Sequence, residues 1–256
     1  MLKSRDISSG KDVILFDLVT GSDSIDLVRD KCRKETIVCP ECDQPVVVKA
    51  GTKMINHFAH KSLESCPLSS ESANMLQGRK ILYQWLGIKL TSKYPNNHSL
   101  ILEKTFPCKA LQRPMDCYCE LPKNRRFAYW ILESGVRASL DIDFYFQDIQ
   151  LPVIKIFLAG MMRFDKDKEI LRLTPTERQS INADEYALSY LDINTNQYTT
   201  FGGLHLYHSP QVYKFLYSVT HQLSEMIFSP LTGNLIHPEG HIKLSKFGQQ
   251  IQATID

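Results

Sequence analysis

Residues 39–85 read CPECDQPVVVKAGTKMINHFAHKSLESCPLSSESANMLQGRKILYQW, and no other stretch of the 256-residue chain brings so many metal-ligating side chains so close together. Cys39 and Cys42 form a C-x-x-C pair, the spacing with which a tight turn offers two thiolates to one ion. His57 and His60 follow a short β-branched run, Val46 to Val48, and a glycine turn at Gly51; Cys66 comes next. One or two further His or Cys complete a tetrahedron around Zn²⁺, so His57, His60 and Cys66 are all candidate ligands, with the choice between the histidines open. Chain ligands fill every place and leave none for water, so the site reads as structural.

Composition limits the class. Lys and Arg number 30 against 28 Asp and Glu, which gives no global field for a polyanion. Any nucleic-acid surface must be local, the candidates being Lys123 with Arg125 and Arg126, and Lys49, Lys53 and Lys61. Seven cysteines, an odd number clustered like metal ligands, suit a reducing cytosol. The start MLKSRDISSG lacks an apolar signal region, and no apolar run is long enough to span a bilayer. The expectation is a cytoplasmic protein.

In chain order, residues 13–18 predict a strand and 21–23 a turn. Ser24 can cap a short helix whose apolar face is Ile25, Val28 and Cys32. The clearest helix covers residues 71–90, capped by Ser69 or Ser70. Leu76, Ile81, Leu82, Trp85 and Leu86 line its apolar face, and Gly78 inside it marks close packing. Strands are expected over 99–106, 115–120 and 126–133, with a break at Ser134 and Gly135. A helix capped by Ser139 follows over 139–148, then a buried strand over 152–158. Strand, helix, strand at this spacing implies a crossover and a mixed sheet. Further on, a helix is expected over 175–188, a strand over 198–201, and a helix from Ser209-Pro210 through Val212, Phe215, Val219 and Leu223.

The succession CPEC, β run, glycine turn, HFAH, Cys, and then Glu71-Ser72 with Leu76, Gly78, Arg79, Leu82, Tyr83 and Trp85 resembles the competence protein CoiA family. The likeness runs over roughly residues 37–158 and is weaker after residue 90. It implies a cytosolic protein acting on incoming DNA in transformation and recombination. The implied fold is α/β, a mixed sheet of restriction-endonuclease-like type with a small zinc-binding module in front and a mixed extension behind. The divisions are 1–68 for the zinc module, 69–160 for the nuclease-like core and 161–256 for the extension. In such cores, carboxylates hold Mg²⁺, which activates water and neutralises phosphate charge.

Carried over residue by residue, the resemblance makes Glu71 the helix carboxylate and Asp116, in the R-x-x-D run from Arg113, a strand carboxylate. Arg79 stands where the family has Lys, and Met75 where it has His. The family strand E-x-Q-x-S, anchored on Ser134, puts Trp130 at the Glu position and Leu132 at the Gln position, and neither binds a metal ion. Glu133 could serve only if the strand were shifted or bulged, because a one-residue slip moves a side chain to the other face. Asp141 and Asp143 more naturally open a helix. Two readings follow. In the first, the nuclease-like site is degenerate and the protein acts by binding DNA or a recombination partner. In the alternative, Glu71, Asp116 and Glu133 form an active Mg²⁺-dependent DNA nuclease. A zinc-stapled interaction domain without a DNA role is the third possibility.

Overall fold

The structure is a computed structural model that describes residues 1–18, 23–51, 55–62, 66, 71–111, 113–133, 140–181, 187–238 and 242–255. The expected turn at Gly21 and Ser22, caps at Ser69, Ser70 and Ser139, and break at Ser134 and Gly135 lie outside the described residues.

The chain opens with β1 (Lys3–Asp6), β2 (Lys11–Ile14), α1 (Asp23–Arg33) and β3 (Ile37–Val38), the strands ordered β2-β1-β3. The strand expected over 13–18 begins and ends earlier. Leu15 and Phe16 follow it into the core. Helix α1 buries Ile25, Val28 and Cys32, the face its spacing dictates. A hairpin of β4 (Val46–Lys49) and β5 (His57–His60) follows, pairing Val46 with His60 and Lys49 with His57.

Helix α2 (Ala73–Lys93) runs over 21 residues. Its cap is Ser72, whose Oγ accepts the Met75 N–H at 3.1 Å. Then come β6 (Ser99–Lys104), β7 (Met115–Leu121), β8 (Arg125–Leu132), α3 (Leu140–Asp148) and β9 (Val153–Leu158). Strands β6, β7 and β8 are antiparallel neighbours, and β8 and β9 pair in parallel across α3, as a helical crossover requires.

The C-terminal part adds β10 (Phe164–Asp165), β11 (Ile170–Arg172), α4 (Pro175–Gln179), β12 (Leu188–Asp192), β13 (Gln197–Gly202), β14 (His205–Tyr207), β15 (Ser209–Lys214), β16 (Tyr217–Gln222), β17 (Ile227–Phe228), β18 (Leu235–Ile236), β19 (Lys243–Leu244) and α5 (Lys246–Ile255). Four of these strands extend the main sheet, an eight-stranded mixed sheet ordered β19-β16-β13-β12-β9-β8-β7-β6. A second sheet, β10-β11-β15-β14, lies apart from it in the pairing.

Two expected helices are corrected. Residues 209–223 form β15 and β16, not a helix. Val212, Phe215 and Val219 are buried, as a helical face would be, but from extended chain, and Leu223 is buried from the short 3-10 turn that follows β16. Pairing of β15 with β11 and β14, and of β16 with β13 and β19, claims the backbone. Tyr213, Tyr217, Val219 and Thr220 suit a pleated surface. Of the helix expected over 175–188, Pro175–Gln179 is helical, and residues 182–186 lie outside the described residues. Thr174 and Glu177 open it with a capping box, and Leu188 already belongs to β12.

The two faces of β8 serve two cores. Phe127, Tyr129 and Ile131 pack with Leu82, Trp85 and Leu86 of α2. Ala128, Trp130 and Leu132 pack with Ile142 and Phe146 of α3. Period-two alternation thus places one helix on each side of the sheet. Gly78 lets α2 approach, because a Cβ there would lie 3.0 Å from Leu158 Cδ2 and 3.5 Å from Ile131 Cδ1. No helix among the described residues is long and apolar enough to cross a membrane. Gly78→Val is expected to lower stability by about 1–3 kcal/mol through overpacking against Leu158 and Ile131. Denaturant unfolding checks this, and an unchanged midpoint would refute the close approach.

Candidate metal centre and carboxylate cluster

The knuckle is built by a turn after β3. The Asp43 N–H bonds the Cys39 carbonyl at 3.0 Å, and the Cys39 N–H bonds the Gln44 carbonyl at 2.9 Å. Asp43 takes a positive φ of 57° to close the turn, a conformation Asp tolerates better than most residues. This brings Cys39 and Cys42 beside the end of β5. Ligand atoms of Cys39, Cys42, His60 and Cys66 all lie within 4.8 Å of one another. Cys39 Sγ stands 3.8 Å from Cys66 Sγ, and Cys42 Sγ 3.3 Å from His60 Nε2.

These separations fit one ion. With Zn–S bonds of about 2.3 Å, a tetrahedral S–S edge is about 3.8 Å. Chemistry points the same way. Burial, more than the neighbouring Cys66, pushes the Cys39 thiol up to about 12. The Cys39 thiol therefore becomes a thiolate most readily beside a cation. The Glu41 N–H also points at Cys39 Sγ, at 3.4 Å, a donor that would stabilise a metal-bound thiolate there. The four side chains can therefore hold a metal ion such as zinc.

His57 stands apart from this group. It is on the same strand, but its Nδ1 lies 2.9 Å from the Ile55 carbonyl. Burial lowers its pKa below the usual histidine value. The reason is the strand: a helical turn would have aligned His57 and His60, whereas in β5 residues three apart point to opposite faces.

The carboxylates meet around Arg79, which is fully buried on α2. Its Nε donates to Asp116 Oδ1 at 2.7 Å, and Nη1 donates to Glu71 Oε2 at 3.0 Å. Nη1 also bonds Glu103, and Nη2 bonds the second oxygen of Glu71. Asp116 is saturated from two further sides. Arg113 Nη1 donates to Oδ1 at 2.8 Å, and the Ile131 N–H to Oδ2 at 2.6 Å. Glu103 accepts the N–H groups of Leu2 at 2.7 Å and Lys3 at 3.1 Å. The Met1 ammonium lies 3.4 Å from Glu71 Oε2. Three buried carboxylates thus face three cations, Arg79, Arg113 and Met1. Burial would raise the Glu71 carboxyl, but Arg79, the Met1 ammonium and Arg113 hold it down at about 2.

Glu71, Asp116 and Arg79 are brought together, while Glu133 is otherwise engaged. It accepts the Ser72 hydroxyl and the Asn74 amide, the latter at 3.3 Å, at the start of α2. Trp130 and Leu132 lie in the core on the α3 side of the sheet. The Trp130 ring takes the Arg113 guanidinium 5.5 Å from its centroid. Asp143 pairs with Lys155 at 2.6 Å, and Asp141 joins it in the first turn of α3. Glu103 was not among the sequence candidates. Its signal is structural: a positive φ of 53° within β6 marks an irregular strand position. Within the short basic runs, Lys61 pairs with Glu35 and Arg125 bonds the carbonyls of Pro122 and Pro230, while Lys123 and Arg126 are exposed. Lys53 lies outside the described residues.

Two outcomes are expected. His60→Ala should lose about one equivalent of bound metal, while His57→Ala retains it, as elemental analysis will read. The second concerns acid. A depressed carboxyl adds stability that is complete above about pH 4.5 and is lost as pH falls through the folded value of about 2. Glu71 should contribute about 3 kcal/mol in this way. The stability difference between wild type and Glu71→Gln should therefore shrink between those pH values, and a constant difference would contradict the assignment.

Residues 22–69 match the family model described as "Competence protein CoiA, N-terminal domain". A relative, competence protein CoiA of Bacillus subtilis (strain 168), is 40% identical over 58 residues, which is 22% of this chain and 16% of that protein. No solved structure matches. The family match contains Cys39, Cys42, His60 and Cys66 and ends before Glu71. Over residues 22–69, then, the chain is similar to the N-terminal domain of competence protein CoiA, and the matched stretch spans less than a fifth of that relative's length.

Proposed function

We propose that this is a CoiA-like DNA-processing protein of competence and recombination, whose nuclease-like site is degenerate and which acts by binding DNA or a recombination partner. The carrying observation is the saturation of Glu71, Glu103 and Asp116 by Arg79, Arg113 and backbone N–H groups. A Mg²⁺ ion needs carboxylate oxygens free to ligate it and room for its waters. Here a guanidinium fills the place between them. Arg is always charged and offers a planar fork, so it satisfies several carboxylates at once where an ammonium would leave some unmet.

Supporting the family-like arrangement, α2 lies over β7 and β8 while α3 links β8 to a parallel β9. A core over residues 69–160 of restriction-endonuclease-like type, between a zinc module (1–68) and an extension (161–256), is the reading that accommodates this. Zinc is the ion proposed for the Cys₃His site, since a soft, closed donor set of that kind favours it. The free cysteines suit the proposed cytoplasmic location. The alternative, an active nuclease, would need Glu71 and Asp116 to leave Arg79, and Glu133 to leave Ser72.

The deciding experiment uses the full chain, labelled single- and double-stranded DNA, and Mg²⁺ or Mn²⁺. Binding that weakens steeply with salt, without cleavage, is expected. Cleavage that disappears in Asp116→Ala would replace this reading with the alternative. No binding at low salt would remove the DNA role and leave a protein partner.

A further inference from the structure

The first five residues touch both special regions of the molecule. On one side they are tied to the metal centre. The Phe58 N–H bonds the Met1 carbonyl at 2.9 Å, two residues before His60. Arg5 pairs with Val38 in the β1–β3 register, and Val38 precedes Cys39. Arg5 also forms an ion pair with Asp43 in the knuckle turn. Met1 packs in one apolar cluster with Cys39, Phe58 and Cys66. On the other side, the Leu2 and Lys3 N–H groups cap both oxygens of Glu103, whose carboxylate binds Arg79. Leu2 itself packs with Leu76 of α2 and Leu102 of β6.

We propose that the metal centre and the Arg79 cluster are one cooperative unit joined by this N-terminal strap, so that metal occupancy controls whether Glu103 stays capped. The inference rests on metal being held by Cys39, Cys42, His60 and Cys66. The ion fixes the two anchors of the strap, Val38 beside Cys39 and Phe58 near His60. With both anchors fixed, the Leu2 and Lys3 N–H groups meet Glu103 without further ordering of the chain. Without the ion, the knuckle and the end of β5 are held together by the β4–β5 ladder and side-chain packing, with no cross-link between the thiols and His60. The strap then loosens and leaves a buried carboxylate short of two donors, which weakens its whole network. Linkage makes the effect reciprocal: damage to the cluster must weaken metal binding by the same factor.

The test measures Zn²⁺ affinity by competition with a chromogenic chelator in the full chain. Glu103→Gln should bind Zn²⁺ about fivefold or more weakly than wild type. Glu177→Gln removes a buried charge elsewhere, at the capping box of α4, and should leave the affinity within about twofold. Equal affinity in Glu103→Gln and wild type would overturn the proposal, as would equal weakening in both variants. If Glu103→Gln does not fold, Arg79→Lys gives the same readout while keeping the charge. As a second arm, chelation should speed hydrogen exchange at Leu2 and Lys3 by about tenfold more than in β12 and β13. Uniform change across these amides would also overturn it. Failure of wild type to bind Zn²⁺ at all would instead sink the metal reading on which the proposal stands.

Discussion

A guanidinium with no exposed surface, placed among three carboxylates, sets the terms for this fold. Burying such a group is unfavourable by several kcal/mol unless its donors are met and its charge balanced. Arg79 meets both conditions. Its donors reach Glu71, Glu103 and Asp116, which come from the residue before the Ser72 cap of α2, from β6 and from β7. The balance closes only because Arg113 and the Met1 ammonium are also present. Helix α2 is therefore fixed in rotation and in height over the sheet by charge as well as by its apolar face. An apolar stripe alone would tolerate sliding by a turn. A fork that must meet three fixed carboxylates does not.

The sheet turns this local constraint into a division of labour. Alternation along β8 gives Ile131 to the α2 side and Trp130 and Leu132 to the α3 side. The positions at which a nuclease-like strand would carry polar groups are occupied by core residues packed against Ile142 and Phe146. Trp130 keeps one relation to the cluster, its ring lying against Arg113. An aromatic face there attracts a cation much as a carboxylate would, but it offers no oxygen to a metal ion. On the reading proposed above, the same substitution both removes a ligand and stabilises the arginine that the cluster needs.

Local pattern made much of this readable beforehand. Strands β6 to β9 and helix α3 follow from short apolar or β-rich runs between clear turns, and most of their contacts are with neighbours in sequence. The knuckle was legible because C-x-x-C with a nearby His and Cys has few other uses. The choice of His60 over His57 was not, because it depends on whether HFAH is helix or strand. The misread helix at 209–223 fails for a related reason. Its buried positions were identified correctly, yet three- and four-residue spacing arises in two strands joined by a turn at Phe215 and Leu216. Only pairing with β13, distant in sequence, settles the matter. Glu103 was invisible for the same cause: its role depends on Leu2, 101 residues away.

That long-range bond also explains why two dissimilar devices lie so close along the fold. The N-terminal apolar cluster is small, with about ten buried side chains gathered around α1 and the knuckle. Small cores of this size gain much of their stability from a metal or other cross-link. A module stapled by an ion is rigid enough to present backbone N–H groups at fixed positions. Glu103 requires just such donors, because a mobile strap would have to be ordered at a penalty of about 1–2 kcal/mol per residue. On the coupling proposed above, rigidity supplied at the knuckle lowers the free energy needed to cap Glu103, and the capped carboxylate in turn holds the guanidinium that positions α2.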